Sequence, residues 1–296
     1  MCIRDRDNYV VSKIQSMISD KGLSASSLNL YKKCPIRFYY EKILNIPETK
    51  YNNGEITPDI FGTAIHNALH DFLEPFKKKK LKAKNLDEIY PRIEQKIKNI
   101  YTETLMKDTS KIGKNILTES ISIDLIRRYF DFEKKNAINN NIKIYDLEKE
   151  LFHIIKYGKT NIKLVGKIDR IQSINGQTQI LDYKTGSVKA SELKISDVEL
   201  LVFDPKHQTA FQLFFYYYLY KKNNLTNKDL SSGVVSLRNL KSGFLPIIIG
   251  GQQIINEDLI NEFEKHLINL IFKIKDTKYP FSHLNRKEKC IFCDNI

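Results

Sequence analysis

The chain has 296 residues, with 48 Lys and Arg against 35 Asp and Glu, and a formal net charge of +13. That excess favours a polyanionic partner, nucleic acid ahead of an anionic membrane surface, although a Lys-, Asn- and Ile-rich composition accounts for part of it. No run nears the ~18 apolar residues that suggest a membrane span, no signal peptide is visible, and four cysteines in this length exclude a disulfide scaffold; the expectation is a soluble intracellular protein with no membrane partner, built as one large domain or one domain with an accessory lobe.

The first six residues, MCIRDR, look foreign to the rest of the chain, and residues 1–20 are read as a non-native or linker segment. In Leu23–Asn45, Ser24 or Ser26 can cap a short helix through Tyr31, and Pro35 restarts a second one. Cys34 lies between them; alone, it reads as a small buried hydrophobe. Phe61–His66 (FGTAIH) opens a further helix with Thr63 as its N-cap, Ile65, Leu69, Phe72 and Leu73 as its buried stripe, and Pro75 as its end. His66 and His70 share one face of it. A zinc-protease helix would need Glu after the first His, and this chain has Asn67. From about 77 to 141 the chain is Lys-rich with Ile89, Ile93, Ile97, Ile100 and Leu105 at helical spacing, which predicts an inserted helical lobe. Tyr145–Tyr157 alternates as a strand; its Glu148 and Glu150 read as solvated charges, with one of them a candidate to assist a metal.

Leu164–Gly186 (LVGKIDRIQSINGQTQILDYKTG) carries two apolar-alternating runs joined by Asn175-Gly176, a strong signal for a two-residue turn because both central positions need φ > 0. That turn sets a register in which Asp169 faces Asp182, with Lys184 on the same face. Facing carboxylates repel, and a hard divalent cation with oxygen ligands is the natural compensation. A Lys beside it can hold a water or stabilise charge on a phosphate, so the hairpin suggests metal-assisted phosphodiester hydrolysis.

Beyond the hairpin, His207–Tyr220 (HQTAFQLFFYYYLY) predicts a strongly apolar helix with Gln212 and Tyr216 on one face and Gln208 one turn earlier. Gly233–Arg238 predicts a strand and Glu257–Asp276 an amphipathic helix. Cys290-Ile-Phe-Cys293 suits zinc or an iron–sulfur cluster, since two thiolates at that spacing can chelate one centre.

Taken in order, these residues resemble the core motifs of the PD-(D/E)xK nuclease superfamily, and more narrowly the nuclease domain of RecB- and AddB-type helicase–nucleases. The resemblance rests on Cys34-Pro35-x-Arg37-Phe38, Gly62-Thr63-x-x-His66, Gly166-Lys-Ile-Asp169-Arg170, Leu181-Asp182-Tyr-Lys184-Thr-Gly186, Gln212-x-x-x-Tyr216 and Cys290-x-x-Cys293. It implies an α/β fold over residues 21–296, a restriction-endonuclease-like core whose mixed central sheet is flanked by helices and carries the helical insertion. It implies catalytic roles for Asp169, Asp182, Lys184 and Gln212. Mg²⁺ or Mn²⁺ would be held by His66, Asp169, Asp182 and the Tyr183 carbonyl, and Tyr216, Arg170 and Thr185 would lie along the DNA. A [4Fe–4S] cluster would join Cys34 to Cys290 and Cys293, with a fourth cysteine falling just beyond Ile296.

The activity implied is that of a Mg-dependent deoxyribonuclease, with exonuclease action expected. It would work in double-strand-break repair and recombination in the bacterial cytoplasm, on single-stranded DNA or an unwound duplex end, beside an AddA-like helicase–nuclease subunit. Two other classes stay open. A catalytically silent DNA-binding module is disfavoured by the intact Asp169, Asp182 and Lys184. A CRISPR-associated RecB-type exonuclease is usually more compact than the stretch between His66 and Asp169 allows.

Overall fold

Asn175 and Gly176 have φ of 52° and 93°, the left-handed pair that a tight hairpin turn requires. The strands they join pair from Ile174–Gln177 to Arg170–Leu181, in the register read from the sequence. This computed structural model describes residues 2–3, 7–46, 54–105, 113–223, 230–253 and 255–282. In chain order they form β1 (Cys2–Ile3), α1 (Asn8–Ser16), α2 (Ala25–Lys33), α3 (Pro35–Phe38), α4 (Pro58–Leu73), α5 (Ala83–Leu86), α6 (Ile93–Leu105) and α7 (Gly113–Asn139). Then come β2 (Ile142–Tyr157), β3 (Thr160–Ile174), β4 (Gln177–Lys184), β5 (Lys194–Ile195), α8 (Val198–Phe203), α9 (Gln208–Asn223), β6 (Leu230–Ser236), β7 (Phe244–Pro246), β8 (Ile248–Ile249), α10 (Glu257–Lys275) and β9 (Phe281–Ser282).

Among the described residues the central sheet has five strands in the order β2-β3-β4-β6-β7. All neighbours are antiparallel except β4 and β6, which run parallel and are joined by a crossover that includes α9. The sheet is therefore mixed and the fold α/β. One apolar core gathers α1, α2, α9 and α10, with Phe211, Phe214, Phe215 and Phe263 fully buried. A second gathers α4, α6 and α7 around Leu181, Tyr183 and Val235. The sheet edge and the hairpin are thus packed by the helical lobe on one side and the aromatic helix on the other. No helix among the described residues is long and apolar enough to cross a membrane.

Two expectations are corrected. Residues 8–20, expected with the rest of 1–20 to be a non-native or linker segment, form α1 and a further turn, with Val10, Ile14, Met17 and Ile18 buried in the first core. The helix carrying His66 begins at Pro58 after an extended Thr57, and Thr63 lies inside it rather than at its cap. A proline at the first helical position has its φ already set and loses no hydrogen bond there, so it outcompetes the later hydroxyl as the start.

Gly233 in β6 is required by close approach: a Cβ there would sit 2.4 Å from the Leu245 carbonyl oxygen and 2.6 Å from the Phe244 ring. Backbone cannot move aside as a flexible side chain does. We expect Gly233→Ala to destabilise the fold by about 1–3 kcal/mol, read as a shift in the urea midpoint at unchanged slope.

Candidate active site

The β3–β4 ladder stops at Arg170–Leu181, one rung short of the two aspartates, and the strands part there. Asp169 spans the gap with its side chain: its Oδ2 accepts the Tyr183 backbone N–H at 2.8 Å. The same oxygen lies 3.4 Å from Nδ1 of His66 on α4. Burial pushes the His66 pKa down, but the hydrogen bond to Asp169 and the charges of Asp169, Asp182 and Glu148 outweigh it and raise it overall.

Glu148 completes a triad. The donor atoms of His66, Glu148 and Asp169 all lie within 4.8 Å of one another. Leu147 pairs with Arg170 and Lys149 with Ile168, so Glu148 falls opposite Asp169. It holds φ +48°, a conformation that costs a non-glycine residue energy and that clusters at functional sites. Just upstream, between Ile144 and Asp146, the β2 register shifts by one residue, the kind of bulge that re-aims side chains beside a site. Glu148, read first as solvated, is the carboxylate that sequence reasoning undervalued. A signal for it existed: the tight Gly158-Lys159 turn pairs Tyr157 with Thr160, and counting back along that register from Asp169 reaches Glu148.

Asp182 sits beside this triad rather than within it. It is 2 % exposed, and Lys184 Nζ lies 2.9 Å from its Oδ2. That contact is an ion pair without hydrogen-bond geometry, and Oδ2 has no hydrogen-bond donor among the described residues. Burial raises the Asp182 pKa to about 6, with Lys184 pulling it down and Asp169 pushing it up.

Lys184 also donates to Gln212 Oε1 at 2.9 Å, and Gln212 Nε2 donates to the Tyr216 hydroxyl at 2.9 Å. An ammonium can only donate, so the amide must present its oxygen to Lys184 and its nitrogen to Tyr216. Gln212 thereby fixes where the ammonium sits. Tyr216 is 9 % exposed, and its ring approaches Gly166 so closely that a Cβ there would lie 3.2 Å from it. The Tyr216 pKa is raised by burial and by the nearby carboxylates, Asp182 foremost, so its hydroxyl keeps its proton at neutral pH.

The Gln208 side chain donates to the Pro205 carbonyl, away from Lys184. His70 pairs with Asp71 and Glu74 on the outer face of α4. Thr185, half-buried, places Oγ1 3.9 Å from where a Gly62 Cβ would be, next to α4. Arg170 is a correction: it is fully buried and paired with Glu133, which removes it from any surface a DNA strand could touch. Cys34 is buried between α2 and α3; Cys290 and Cys293 lie outside the described residues.

A divalent metal fits the donors present: one imidazole nitrogen and two carboxylates, with the Asp182 carboxylate beside them, suit Mg²⁺ or Mn²⁺. The PD-(D/E)XK nuclease superfamily profile matches residues 22–295. One subunit of the ATP-dependent helicase/deoxyribonuclease of Clostridioides difficile (strain 630) is 29 % identical over 213 residues, covering 64 % of this chain and 18 % of that protein. The corresponding subunit from Carboxydothermus hydrogenoformans is 24 % identical over 195 residues, covering 60 % and 17 %. The chain thus spans under a fifth of the length of these curated relatives. With its motifs in order, its sheet in place and the match running nearly end to end, the chain belongs to the PD-(D/E)XK nuclease superfamily.

Proposed function

We propose that this chain is a metal-dependent deoxyribonuclease, the nuclease domain of an AddB-like subunit that works with an AddA-like helicase–nuclease partner on single-stranded or unwound DNA ends. One observation carries the reading: the His66–Glu148–Asp169 triad lies beside a chain that runs from the buried Asp182 through the half-buried Lys184 to Gln212. His66, Glu148 and Asp169 would hold the Mg²⁺ or Mn²⁺, with Asp182 and the Tyr183 carbonyl completing the set. When bound, the metal supplies Lewis-acid polarisation of a phosphoryl oxygen and a more acidic water. The chain's own residues supply the rest. Lys184, held by Gln212 and Asp182, can donate to the attacking water or to a phosphate oxygen as negative charge builds on it. Tyr216 holds Gln212, and the +13 charge of the chain supplies non-specific affinity for phosphates. The setting expected from the resemblance, double-strand-break repair in the bacterial cytoplasm with exonuclease action, belongs to this same proposal.

The iron–sulfur reading is retained as part of it. Phe281 in β9 packs against Tyr31 and Phe38 at ring-centroid distances of 6.4 Å, so the last described strand docks on the helices that flank Cys34. A cluster ligated by Cys34, Cys290 and Cys293 would tie these distant segments together by closing a long loop of the unfolded chain.

The test is a divalent-ion titration of cleavage on end-labelled single-stranded DNA. Cleavage should require Mg²⁺ or Mn²⁺ and stop with chelator. Lys184→Ala should lower turnover by ~10²–10³ with Mn²⁺ affinity, measured by calorimetry, changed little. Metal-independent cleavage, or full rescue of the Lys184 variant by extra metal, would defeat the assignment.

A further inference from the structure

The face of the hairpin turned away from Lys184 carries a buried polar cluster that the chemistry above does not use. Arg170 follows Asp169, Tyr183 follows Asp182, and both reach into the helical lobe. Arg170 Nη1 donates to the Tyr129 hydroxyl at 2.9 Å and to the Tyr183 hydroxyl at 3.3 Å, and Nη2 donates to Glu133 Oε2 at 3.2 Å. The Tyr129 and Tyr183 hydroxyls are 2.8 Å apart, and Tyr129 donates to Glu133 Oε1 at 3.0 Å. Each of the four residues is 3 % exposed or less.

Proton counting gives the cluster a direction. Tyr129 has one hydrogen and gives it to Glu133. Tyr183 must then donate to Tyr129, and the guanidinium, with no acceptor of its own, donates into all three. Tyr129 and Glu133 are four apart on α7 and share a face. This is a closed network whose two halves come from the lobe and from the hairpin.

Tyr183 is where the network meets the metal site. Its backbone N–H holds the Asp169 carboxylate, and its ring stands edge-on to the His66 ring at 6.1 Å. A displacement of Tyr183, backbone and ring together, would move both the N–H donor to one proposed ligand and the wall beside another. We infer that Tyr129 and Glu133, on the lobe helix, are positioning residues for the metal site, acting through Arg170 and Tyr183. This rests on the metal-site reading above and extends it, because it makes the helical lobe a structural part of the active centre rather than an appendage. Groups that orient metal ligands in this way typically change metal affinity or rate by ~10–100-fold when altered.

The experiment measures Mn²⁺ affinity by calorimetry and single-strand cleavage side by side. Tyr129→Phe deletes one hydroxyl, and Glu133→Gln keeps the shape while removing the charge. Each should weaken Mn²⁺ binding by about tenfold and lower kcat, with KM for DNA near the wild-type value. Tyr101→Phe serves as the comparison. Its hydroxyl makes a buried 2.7 Å bond to Ser122 within the same lobe and touches neither hairpin strand, so it should alter the unfolding midpoint and leave Mn²⁺ affinity alone. Unchanged Mn²⁺ affinity in folded Tyr129→Phe and Glu133→Gln would overturn the inference. So would an equal loss in Tyr101→Phe, which would mean that loosening the lobe anywhere suffices. Asp169→Ala separates the layers: it should abolish Mn²⁺ binding, and if it does not, the metal site itself is misplaced and the inference falls with it.

Discussion

Asp182→Ala should reduce DNA cleavage to background while leaving DNA affinity within a few-fold of wild type. The carboxylate is 2 % exposed and anchors Lys184 at 2.9 Å, so its loss removes both a proposed metal contact and one of the two groups that place the ammonium. DNA affinity rests on many phosphate contacts by Lys and Arg and does not depend on one buried acid. A fluorescence-anisotropy titration beside a gel cleavage assay checks both halves; residual cleavage near the wild-type rate would remove Asp182 from the chemistry.

The same position has a second expected result. The folded pKa of Asp182 is about 6 against a usual 3.8, so the folded state takes up its proton more readily than the unfolded chain. By linkage, the stability this group contributes is fully present below about 3.8 and is lost as pH rises through about 6. At pH 7 without metal the ionised, buried carboxylate works against folding by a few kcal/mol in order of magnitude. The Asp182→Asn protein should therefore unfold at a higher temperature than wild type in chelator at pH 7, with the gap closing at pH 4. A binding site that opposes folding until it is filled is the ordinary cost of preorganised chemistry.

Glu133→Ala should be the most destabilising single change in the lobe, by about 3–5 kcal/mol. It leaves the Arg170 guanidinium buried with its charge unpaired, and Arg170 Nε already has no acceptor among the described residues. The double change Glu133→Ala with Arg170→Met should recover much of that loss, because it removes the unpaired charge instead of stranding it. Urea unfolding of the three variants checks this. Additive losses in the double variant would show that the pair does not act as a unit.

Much of this was legible in the linear chain because it is local. Asn175-Gly176 dictates its turn, the turn dictates the register, and the register brings Asp169 and Asp182 to the open end of one hairpin. The apolar spacing of Ile89 to Leu105 announces lobe helices, and Gln212 and Tyr216 share a face because four residues make about one helical turn. Legibility ended where two elements compete or where a fold brings strangers together. Thr63 lost the helix start to Pro58, since both are good starts and only the packed chain selects one. Arg170 turns into the lobe rather than toward DNA, a direction that a lone arginine beside a catalytic aspartate does not reveal.

The sequence by itself determined the family motifs, their order and the hairpin that carries the acids, because these rest on backbone preferences within a few residues. Tertiary structure alone decided the rest. The Glu133 carboxylate lies 37 residues from Arg170 in sequence, and the Tyr129 hydroxyl lies 54 from that of Tyr183. The register opposite Asp169 could be counted to Glu148 from its own turn, but the backbone angle Glu148 holds there is one that no propensity favours. A buried charge must find its partner wherever the fold presents one, and that partner's identity is written in the packing of the lobe against the sheet, not in the order of residues along either.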